Sequence, residues 1–444
     1  GSAPAQINVP RDYWTQVIDI ELPPIVRLER QGGGVDAITK AADLLSKAKF
    51  PVILSGAGVV IGGAIEETKK LAEKLDSPVC SGYQHNDSFP GSHPLAVGPL
   101  GYNGSKAAME LISKADVVLA LGTRLNPFST LPGYGIDYWP KKASIIQVDI
   151  NPDRIGLTKK VTVGISGDAK LVASQILEKL SSKAGETDRQ KRRDLIHQTK
   201  SAWLQKLSSL DHEDDDKGTV WNKEARERDS DRMSPRQAWR AIQAGMPDNV
   251  IISSDIGNNC AIGNAYPTFE KPRKYLAPGL FGPCGYGFPS ILGAKIGCPN
   301  TPVIGFAGDG AFGISMNEMS SCAREEWPAI TMVIFRNYQW GAEKRNTTLW
   351  FDNNFVGTEL DPELSYAKVA DACGLKGVTV KTMEETTEAI KKSCEDQKKG
   401  ITTFIEVILN QELGEPFRRD AMKKPVRVAG IDKKDMKPQK SLNG

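Results

Sequence analysis

Histidine is scarce in this 444-residue chain, and both long hydrophobic runs and closely spaced cysteine pairs are lacking. Only four histidines occur and none follows His212, which disfavours a histidine-based nucleophile or metal site in the second half. The seven cysteines are scattered and never form a Cys-x-x-Cys pair. That pattern favours a reducing cytoplasm over disulfides or a zinc site. No apolar run approaches the roughly 18 residues of a membrane-spanning helix, so we expect no membrane partner.

Charge of one sign is not in excess either. The chain has 57 Lys and Arg against 54 Asp and Glu, a formal net charge of +3. There is therefore no general electrostatic case for binding nucleic acid or a membrane surface. A chain of this length holds two or three domains, each long enough to bury a hydrophobic core.

Helical and strand patterns alternate in two separate parts of the chain. Residues 37–48 have helical periodicity, 51–55 are apolar as in a buried strand, and a similar alternation returns after residue 233. The pattern predicts an α/β fold with two doubly wound parallel-sheet domains. The predicted divisions are 1–36 for the end of a preceding domain and a linker, 37–183 for a middle domain, 184–232 for a charged linker, 233–412 for a second domain and 413–444 for a tail.

Polar residues end two predicted strands of the second domain. The apolar run 303–307 leads into Gly308-Asp309-Gly310, and the run 330–336 leads into Asn337. With a right-handed crossover, two such strands present their C-terminal ends at one edge of a parallel sheet. An Asp and an Asn side chain there suit octahedral Mg²⁺ on a diphosphate. The alternative is two unrelated loops, since Gly-Asp-Gly is usually a turn; Asn337 favours the metal site.

This pairing resembles the magnesium-diphosphate signature of thiamine-diphosphate enzymes, in which Gly-Asp-Gly is followed by Asn after a crossover of about this length. The resemblance implies that thiamine diphosphate and Mg²⁺ are the cofactors. It implies that Mg²⁺ is held by Asp309, by the side chain of Asn337 and by the main-chain carbonyl of Gln339. The further residues that it places at the diphosphate are Gly308, Gly310 and Ala311.

Two other segments of the second domain resemble cofactor contacts of this family. One segment, residues 256–259, follows the predicted strand 250–254. Its glycine and its two asparagine side chains could donate hydrogen bonds to an oxyanion beside a helix N-terminus. An asparagine-capped turn explains it equally well, but the resemblance favours the diphosphate. The other is the glycine-rich turn 282–294, which resembles the cradle of the aminopyrimidine ring. Its cysteine is not proposed as a nucleophile, since a thiol in an apolar turn is usually inert. The implied cofactor residues are Ile256, Gly257, Asn258, Asn259 and Cys284.

Gly56, Gly58 and Gly62 follow a strand and precede a helix, as in a dinucleotide-binding turn. The third glycine stands one place late, and no acidic residue is well placed for a ribose. A tight strand-to-helix turn is therefore favoured, and a nucleotide site in the middle domain remains an alternative.

Segments 10–19, 341–355 and 411–425 resemble one branch of the family, which converts sulfoacetaldehyde and phosphate to acetyl phosphate and sulfite. The resemblance covers essentially the whole chain and implies an acyltransferase that forms a homodimer or homotetramer. Anionic substrates call for guanidinium or ammonium groups near the pocket, although for any one cation a solvated surface role is favoured. The candidates are Arg336, Lys344, Arg345, Arg418 and Arg419.

The first residues resemble the end of the family's amino-terminal domain, which carries the glutamate that activates the cofactor. No glutamate of this chain matches it, so we expect the chain alone to bind the cofactor weakly and to turn over poorly. Two alternatives remain open. One is an acetolactate-synthase-like carboligase or another 2-oxo acid enzyme, and the other is a non-catalytic cofactor-binding fragment.

Overall fold

The computed structural model describes residues 6–26, 29–181, 186–209, 227–279, 281–324, 326–351 and 354–411. Two six-stranded sheets organise these ranges, and neighbouring strands are parallel throughout both sheets. The predicted α/β class with two parallel-sheet domains is therefore confirmed. No helix in the ranges given above is long and apolar enough to cross a membrane.

The first domain alternates strands and helices along the chain. Its strands are β1 (Pro51–Ser55), β2 (Val79–Ser81), β3 (Ala96–Pro99), β4 (Val117–Leu121), β5 (Ser144–Asp149) and β6 (Val163–Ser166). Its helices are α1 (Val35–Lys47), α2 (Ala57–Gly62), α3 (Ile65–Leu75), α4 (Lys106–Ile112) and α5 (Ala169–Lys179). The spatial order is β3-β2-β1-β4-β5-β6. Every residue of β1 and β4 is buried, as expected of parallel strands covered on both faces.

The second domain repeats this plan. Its strands are β7 (Ile251–Ser254), β8 (Tyr275–Leu276), β9 (Val303–Gly308), β10 (Thr331–Arg336), β11 (Lys376–Val380) and β12 (Thr403–Ile408), in the spatial order β11-β12-β10-β9-β7-β8. A connecting helix, α6 (Glu186–Ser209), precedes the domain. The following helices are α7 (Pro235–Gly245), α8 (Asn258–Ile262), α9 (Gly287–Gly297), α10 (Asp309–Ser315), α11 (Met319–Cys322), α12 (Gly341–Trp350), α13 (Tyr366–Ala372) and α14 (Met383–Gln397).

Short 3₁₀ helices occur in the connections of both domains and in the segment that precedes the first domain. They span Arg11–Thr15, Asn86–Ser88, Pro127–Thr130, Pro152–Arg154, Gly263–Ala265 and Met316–Glu318.

Two predictions about strands can be compared with the observed sheets. The run 51–55 is β1, and the runs that end at Asp309 and Asn337 are the adjacent strands β9 and β10. The strand order changes direction at β7, because β8 lies on one side of it and β9 on the other. In doubly wound sheets such a switch point opens a crevice at the C-terminal strand ends.

Helix α6 lies in the range 184–232, which the charge runs predicted to be a solvated linker. It buries Ile196, Trp203 and Leu207, and the Trp203 ring meets Tyr134 edge-on at 5.4 Å between centroids. Residues at spacings of seven and four share one helix face, but the surrounding charges conceal this pattern. The described part of the range is thus a helix packed on the protein, and the divisions at 184 and 232 stay predictions.

A buried tryptophan connects the core of the second domain to the strand ends. Trp239 of α7 is fully buried and packs against Phe306 and Phe335, with ring centroids 4.7 and 5.4 Å away. Its indole Nε1 donates to the carbonyl oxygen of Asn259 at 2.6 Å. The start of α8 is therefore tied to the aromatic core beneath it.

Replacing Trp239 with phenylalanine should lower the free energy of unfolding by about 1–3 kcal/mol, because the Asn259 carbonyl loses a buried donor. Urea denaturation measures the change. The matched control is Trp327→Phe at a ring that is 37% exposed, where we expect a change within about 0.5 kcal/mol. Equal losses in the two variants would contradict the role given to this hydrogen bond.

Candidate functional site

An open cleft lies at the C-terminal ends of β7, β9 and β10, with about 470 Å³ of empty space. Every residue that the sequence predicted to contact the cofactor lines it, from four separate segments of the chain. Trp340, Gly341, Ala342 and Glu343 also line the cleft and are absent from the prediction, although they directly follow Gln339. The predicted residues that meet here are Ile256, Gly257, Asn258, Asn259, Cys284, Gly308, Asp309, Gly310, Ala311, Asn337 and Gln339.

Asp309 is the buried carboxylate of this cleft, with only 1% of its surface exposed. Its Oδ2 accepts hydrogen bonds from the amide of Tyr338 at 2.6 Å and from Arg336 Nη1 at 3.0 Å. Its Oδ1 accepts from the amide of Gly310 at 3.0 Å, an amide that the resemblance assigned to the phosphates. Burial raises the pKa of the Asp309 carboxyl to about 6, although Arg336 and these amides act in the opposite direction.

Neutral amide oxygens accompany this carboxylate. Asn337 is 2% exposed and lines the cleft, and its side chain takes part in none of the hydrogen bonds found among the described residues. Gln339 Oε1 is likewise buried without a partner, while its Nε2 donates to the carbonyl of Gln411 at 2.9 Å. One carboxylate with neutral oxygens is the ligand chemistry that Mg²⁺ prefers, so these residues fit the predicted metal.

Metal sites of other composition were also sought. Over the described ranges, no group of three or more His, Cys, Asp or Glu side chains could hold a metal ion.

Asp255 positions two walls of the cleft relative to each other and was not predicted. The residue follows β7 and is 1% exposed. Its carboxylate accepts from the amides of Ile256 at 2.7 Å, Gly285 at 3.2 Å and Gly287 at 2.7 Å. Burial raises its pKa and the three amides oppose that shift. The carboxylate thereby joins the end of β7 to the glycine-rich turn.

The loop after β7 turns sharply to begin α8. Gly257 has a φ of 125°, a conformation that side chains with a Cβ rarely adopt. Asn258 Nδ2 then donates to the carbonyl of Gly341 at 3.1 Å, and Asn259 Oδ1 is buried with no hydrogen-bond partner in the described part of the chain. The two asparagines therefore lie in the cleft wall, one of them with a free acceptor.

Cys284 stands half-buried in the glycine-rich turn. Burial raises the pKa of its thiol, and the nearby carboxylates of Asp255 and Glu343 raise it further. A thiol held in its protonated form is a poor nucleophile, which agrees with the interpretation of this turn as a cofactor cradle.

The predicted cations surround the cleft but do not line it. Arg336 is fully buried behind Asp309. Lys344 forms an ion pair with Glu359, and Arg345 donates to Asn258 Oδ1 and to the hydroxyl of Tyr102 in the first domain. All three side chains thus already have partners within the protein. Arg418 and Arg419 lie outside the described residues.

Comparison with known families agrees with this geometry. Residues 38–177 match the family described as "Thiamine pyrophosphate enzyme, central domain". Residues 255–407, which contain the whole cleft, match "Thiamine pyrophosphate enzyme, C-terminal TPP binding domain". The chain belongs to the thiamine pyrophosphate enzyme family. The family predicted from the strand-end residues is confirmed.

Two similar proteins have names that refer to sulfoacetaldehyde acetyltransferase activity. The "Probable sulfoacetaldehyde acetyltransferase" of Rhizobium meliloti is 78% identical over 442 residues, which cover 100% of this chain and 75% of the relative. The "Sulfoacetaldehyde acetyltransferase" of Roseovarius nubinhibens is 72% identical, over 99% of this chain and 73% of the relative.

A solved structure shares the fold. Benzoylformate decarboxylase from Polynucleobacter necessarius superposes with a TM-score of 0.68 at 19% identity, covering 91% of this chain and 70% of that one. At this low identity the similarity shows a shared fold and nothing more.

Replacing Gly310 with alanine should disturb the cleft, because the new Cβ would lie 2.8–2.9 Å from ring atoms of Trp340. Overpacking of this kind costs about 1–3 kcal/mol, seen as lost stability or as roughly 5- to 150-fold weaker binding of thiamine diphosphate. Calorimetry and urea denaturation measure both. The control is Gly293→Ala in α9, where a Cβ meets nothing within 4 Å. The packing argument would be contradicted by a Gly310 variant that binds thiamine diphosphate as tightly as this control and is equally stable.

Replacing Asp255 with asparagine keeps the shape of the side chain. The asparagine has only one oxygen, however, whereas two oxygens now accept hydrogen bonds from three amides. We expect about tenfold weaker binding of thiamine diphosphate, the loss of one ordinary buried hydrogen bond, measured by calorimetry. Asp371→Asn is the control, since its exposed carboxylate accepts only from the amide of Gly377 in the hydrogen bonds described. Unchanged affinity in the Asp255 variant would remove this residue from the site.

Proposed function

We propose that this protein converts sulfoacetaldehyde and phosphate to acetyl phosphate and sulfite, with thiamine diphosphate and Mg²⁺ as cofactors. The observation that carries the proposal is the 78% identity over the entire chain to a protein named as a sulfoacetaldehyde acetyltransferase. The cleft supports it, because residues suited to Mg²⁺ and diphosphate converge there from three strand ends. The reaction needs no outside oxidant, since the aldehyde carbon is oxidised while the carbon–sulfur bond is reductively cleaved.

Different residues of the cleft would contact different parts of the cofactor. Asp309, Asn337 and the main-chain carbonyl of Gln339 would hold Mg²⁺. The ends of β7 and β9 would face the diphosphate, and the turn that carries Cys284 would face the aminopyrimidine ring. Thiamine diphosphate, when bound, supplies a nucleophilic carbanion for chemistry at the aldehyde carbon. The protein's part is to orient that group and to exclude water from it.

Arg345 is the cation best supported as a contact for the anionic substrates. It is 7% exposed and donates to Asn258, which itself lines the cleft. A guanidinium can bind a sulfonate or phosphate through two parallel hydrogen bonds. Lys344 is the second candidate, and it would first have to leave its ion pair with Glu359.

We further propose a cytoplasmic homodimer or homotetramer. Apolar side chains along residues 6–26 support an assembly, since many of them are exposed to solvent and clusters of exposed apolar groups mark interaction sites. Among them Trp14 is 77% exposed, Val17 98% and Ile25 91%. The scattered free cysteines support a reducing compartment.

Sulfite release from sulfoacetaldehyde tests the function. With phosphate, Mg²⁺ and thiamine diphosphate present, we expect equal amounts of sulfite and acetyl phosphate. The change Asp309→Asn should lower this rate by about 100-fold or more, because a metal site is weakened at its carboxylate. Asp371→Asn, at an exposed carboxylate, should leave it unaltered. Because the chain spans 75% of the Rhizobium relative, the assay is run on this chain and on a fusion with the remaining quarter of that relative.

The outcomes separate the alternatives. Pyruvate decarboxylation without sulfite release would indicate an acetolactate-synthase-like carboligase or another 2-oxo acid enzyme. Cofactor binding without product from any substrate would indicate a non-catalytic module. Affinity for ATP, FAD or coenzyme A that does not depend on Mg²⁺ and diphosphate would indicate a nucleotide site in the middle domain. The absence of sulfite from both proteins would overturn the proposal.

A further inference from the structure

Arg336 is sealed inside the second domain at the end of β10. None of its side chain is exposed, and its Nη1 donates to Asp309 Oδ2 at 3.0 Å. Its Nη2 donates to the main-chain carbonyls of Asp361 and Leu364. The guanidinium is therefore committed to the protein interior on several sides. A substrate in the cleft would meet Asp309 before it met this group.

A second carboxylate holds Arg336 from the opposite side. Glu406 of β12 is 2% exposed, and its Oε1 lies 3.6 Å from Arg336 Nε. This carboxylate is fixed in turn by the hydroxyl of Ser365 at 2.7 Å and by the amide of Tyr366 at 3.2 Å. The ring of Tyr338 covers the guanidinium at 4.2 Å. These contacts hold the Arg336 guanidinium in one orientation, with its Nη1 towards Asp309.

This orientation determines what remains of Asp309 for a metal. A carboxylate oxygen has two lone pairs. Those of Oδ2 are taken by Arg336 and by the amide of Tyr338, and one of Oδ1 is taken by the amide of Gly310. One acceptor position is left, on Oδ1. Without Arg336, Oδ2 would regain a lone pair and the carboxylate could bind a cation through both oxygens.

We propose that Arg336 is a positioning residue which restricts Asp309 to one metal-binding oxygen and thereby favours Mg²⁺ over Ca²⁺ beside the diphosphate. The inference rests on the proposed cofactors. Mg²⁺ takes six ligands in a strict octahedron, where a carboxylate binds through one oxygen. Ca²⁺ accepts six to eight ligands and often takes both oxygens of a carboxylate. A fixed one-oxygen ligand therefore suits the smaller ion.

The test compares how well Mg²⁺ and Ca²⁺ support binding of thiamine diphosphate. Calorimetry gives the two dissociation constants and their ratio. The chief variant is the double change Arg336→Met with Glu406→Gln, which removes one charge of each sign and leaves the total charge unaltered. We expect its preference for Mg²⁺ over Ca²⁺ to fall about tenfold, in the range seen when groups behind a metal ligand are lost.

Two further variants complete the experiment. Arg324→Met with Glu326→Gln removes an exposed pair and should retain the parent's preference for Mg²⁺. Arg336→Lys keeps the charge but lacks the planar fork that meets Asp309 and two carbonyls together, so its preference should also fall. If the double variant does not fold, the lysine variant decides alone.

The possible results are distinct. A ratio of dissociation constants that equals the parent's in the Arg336 variants, with thiamine diphosphate still bound, would overturn the inference while leaving the proposed function intact. Failure of the proposed cofactors, and with them of the proposed function, would look different, because the parent itself would bind thiamine diphosphate no better with either cation than without. That second result would overturn both. A purely structural role for Arg336 would lower stability without changing the ratio.

Discussion

The pairing of β9 with β10 in one parallel sheet is the constraint on which the cleft depends. Phe335 lies opposite Gly308 in this register, so the residues that follow the two strands emerge together at one edge. Asp309 and Asn337 are thereby placed in one cleft, although a helical crossover separates them along the chain. The neighbouring strand β7 brings the loop that begins with Asp255 to the same edge, because parallel strands all point their C-terminal ends the same way.

The buried carboxylate of Asp309 at this edge of the sheet requires charged and polar partners in the protein interior behind it. An unpaired buried carboxylate costs several kcal/mol, and Asp309 avoids this through Arg336 and two main-chain amides. The arginine in turn lies between Asp309 and Glu406. The arginine at the end of β10 is thus accommodated by a glutamate on β12, which is the strand beside β10. The site and the sheet interior form one electrostatic unit.

Strand positions and most of the residues that line the cleft were predictable, and the reasons are local. The run 51–55 is apolar and short enough to be a buried strand, and a polar residue at the end of such a run marks the edge of a parallel sheet. Other features depend on partners distant in the chain. Asp255 was missed because its role lies in three amides, two of them in the turn after residue 282. Helix α6 was missed because its buried face is hidden among charges.

The apolar periodicity of the sequence determined the two parallel sheets, and the resemblance carried by its strand-end motifs determined the family and most of the residues that line the cleft. Only the tertiary structure decided which side chains face the cleft and which support it from behind. Arg336 illustrates the difference. Its position after an apolar strand is local information, whereas its orientation depends on Glu406 and on the carbonyls of Asp361 and Leu364. Side-chain direction at a strand end is set by the neighbours that satisfy its charge, and folding alone brings those neighbours together.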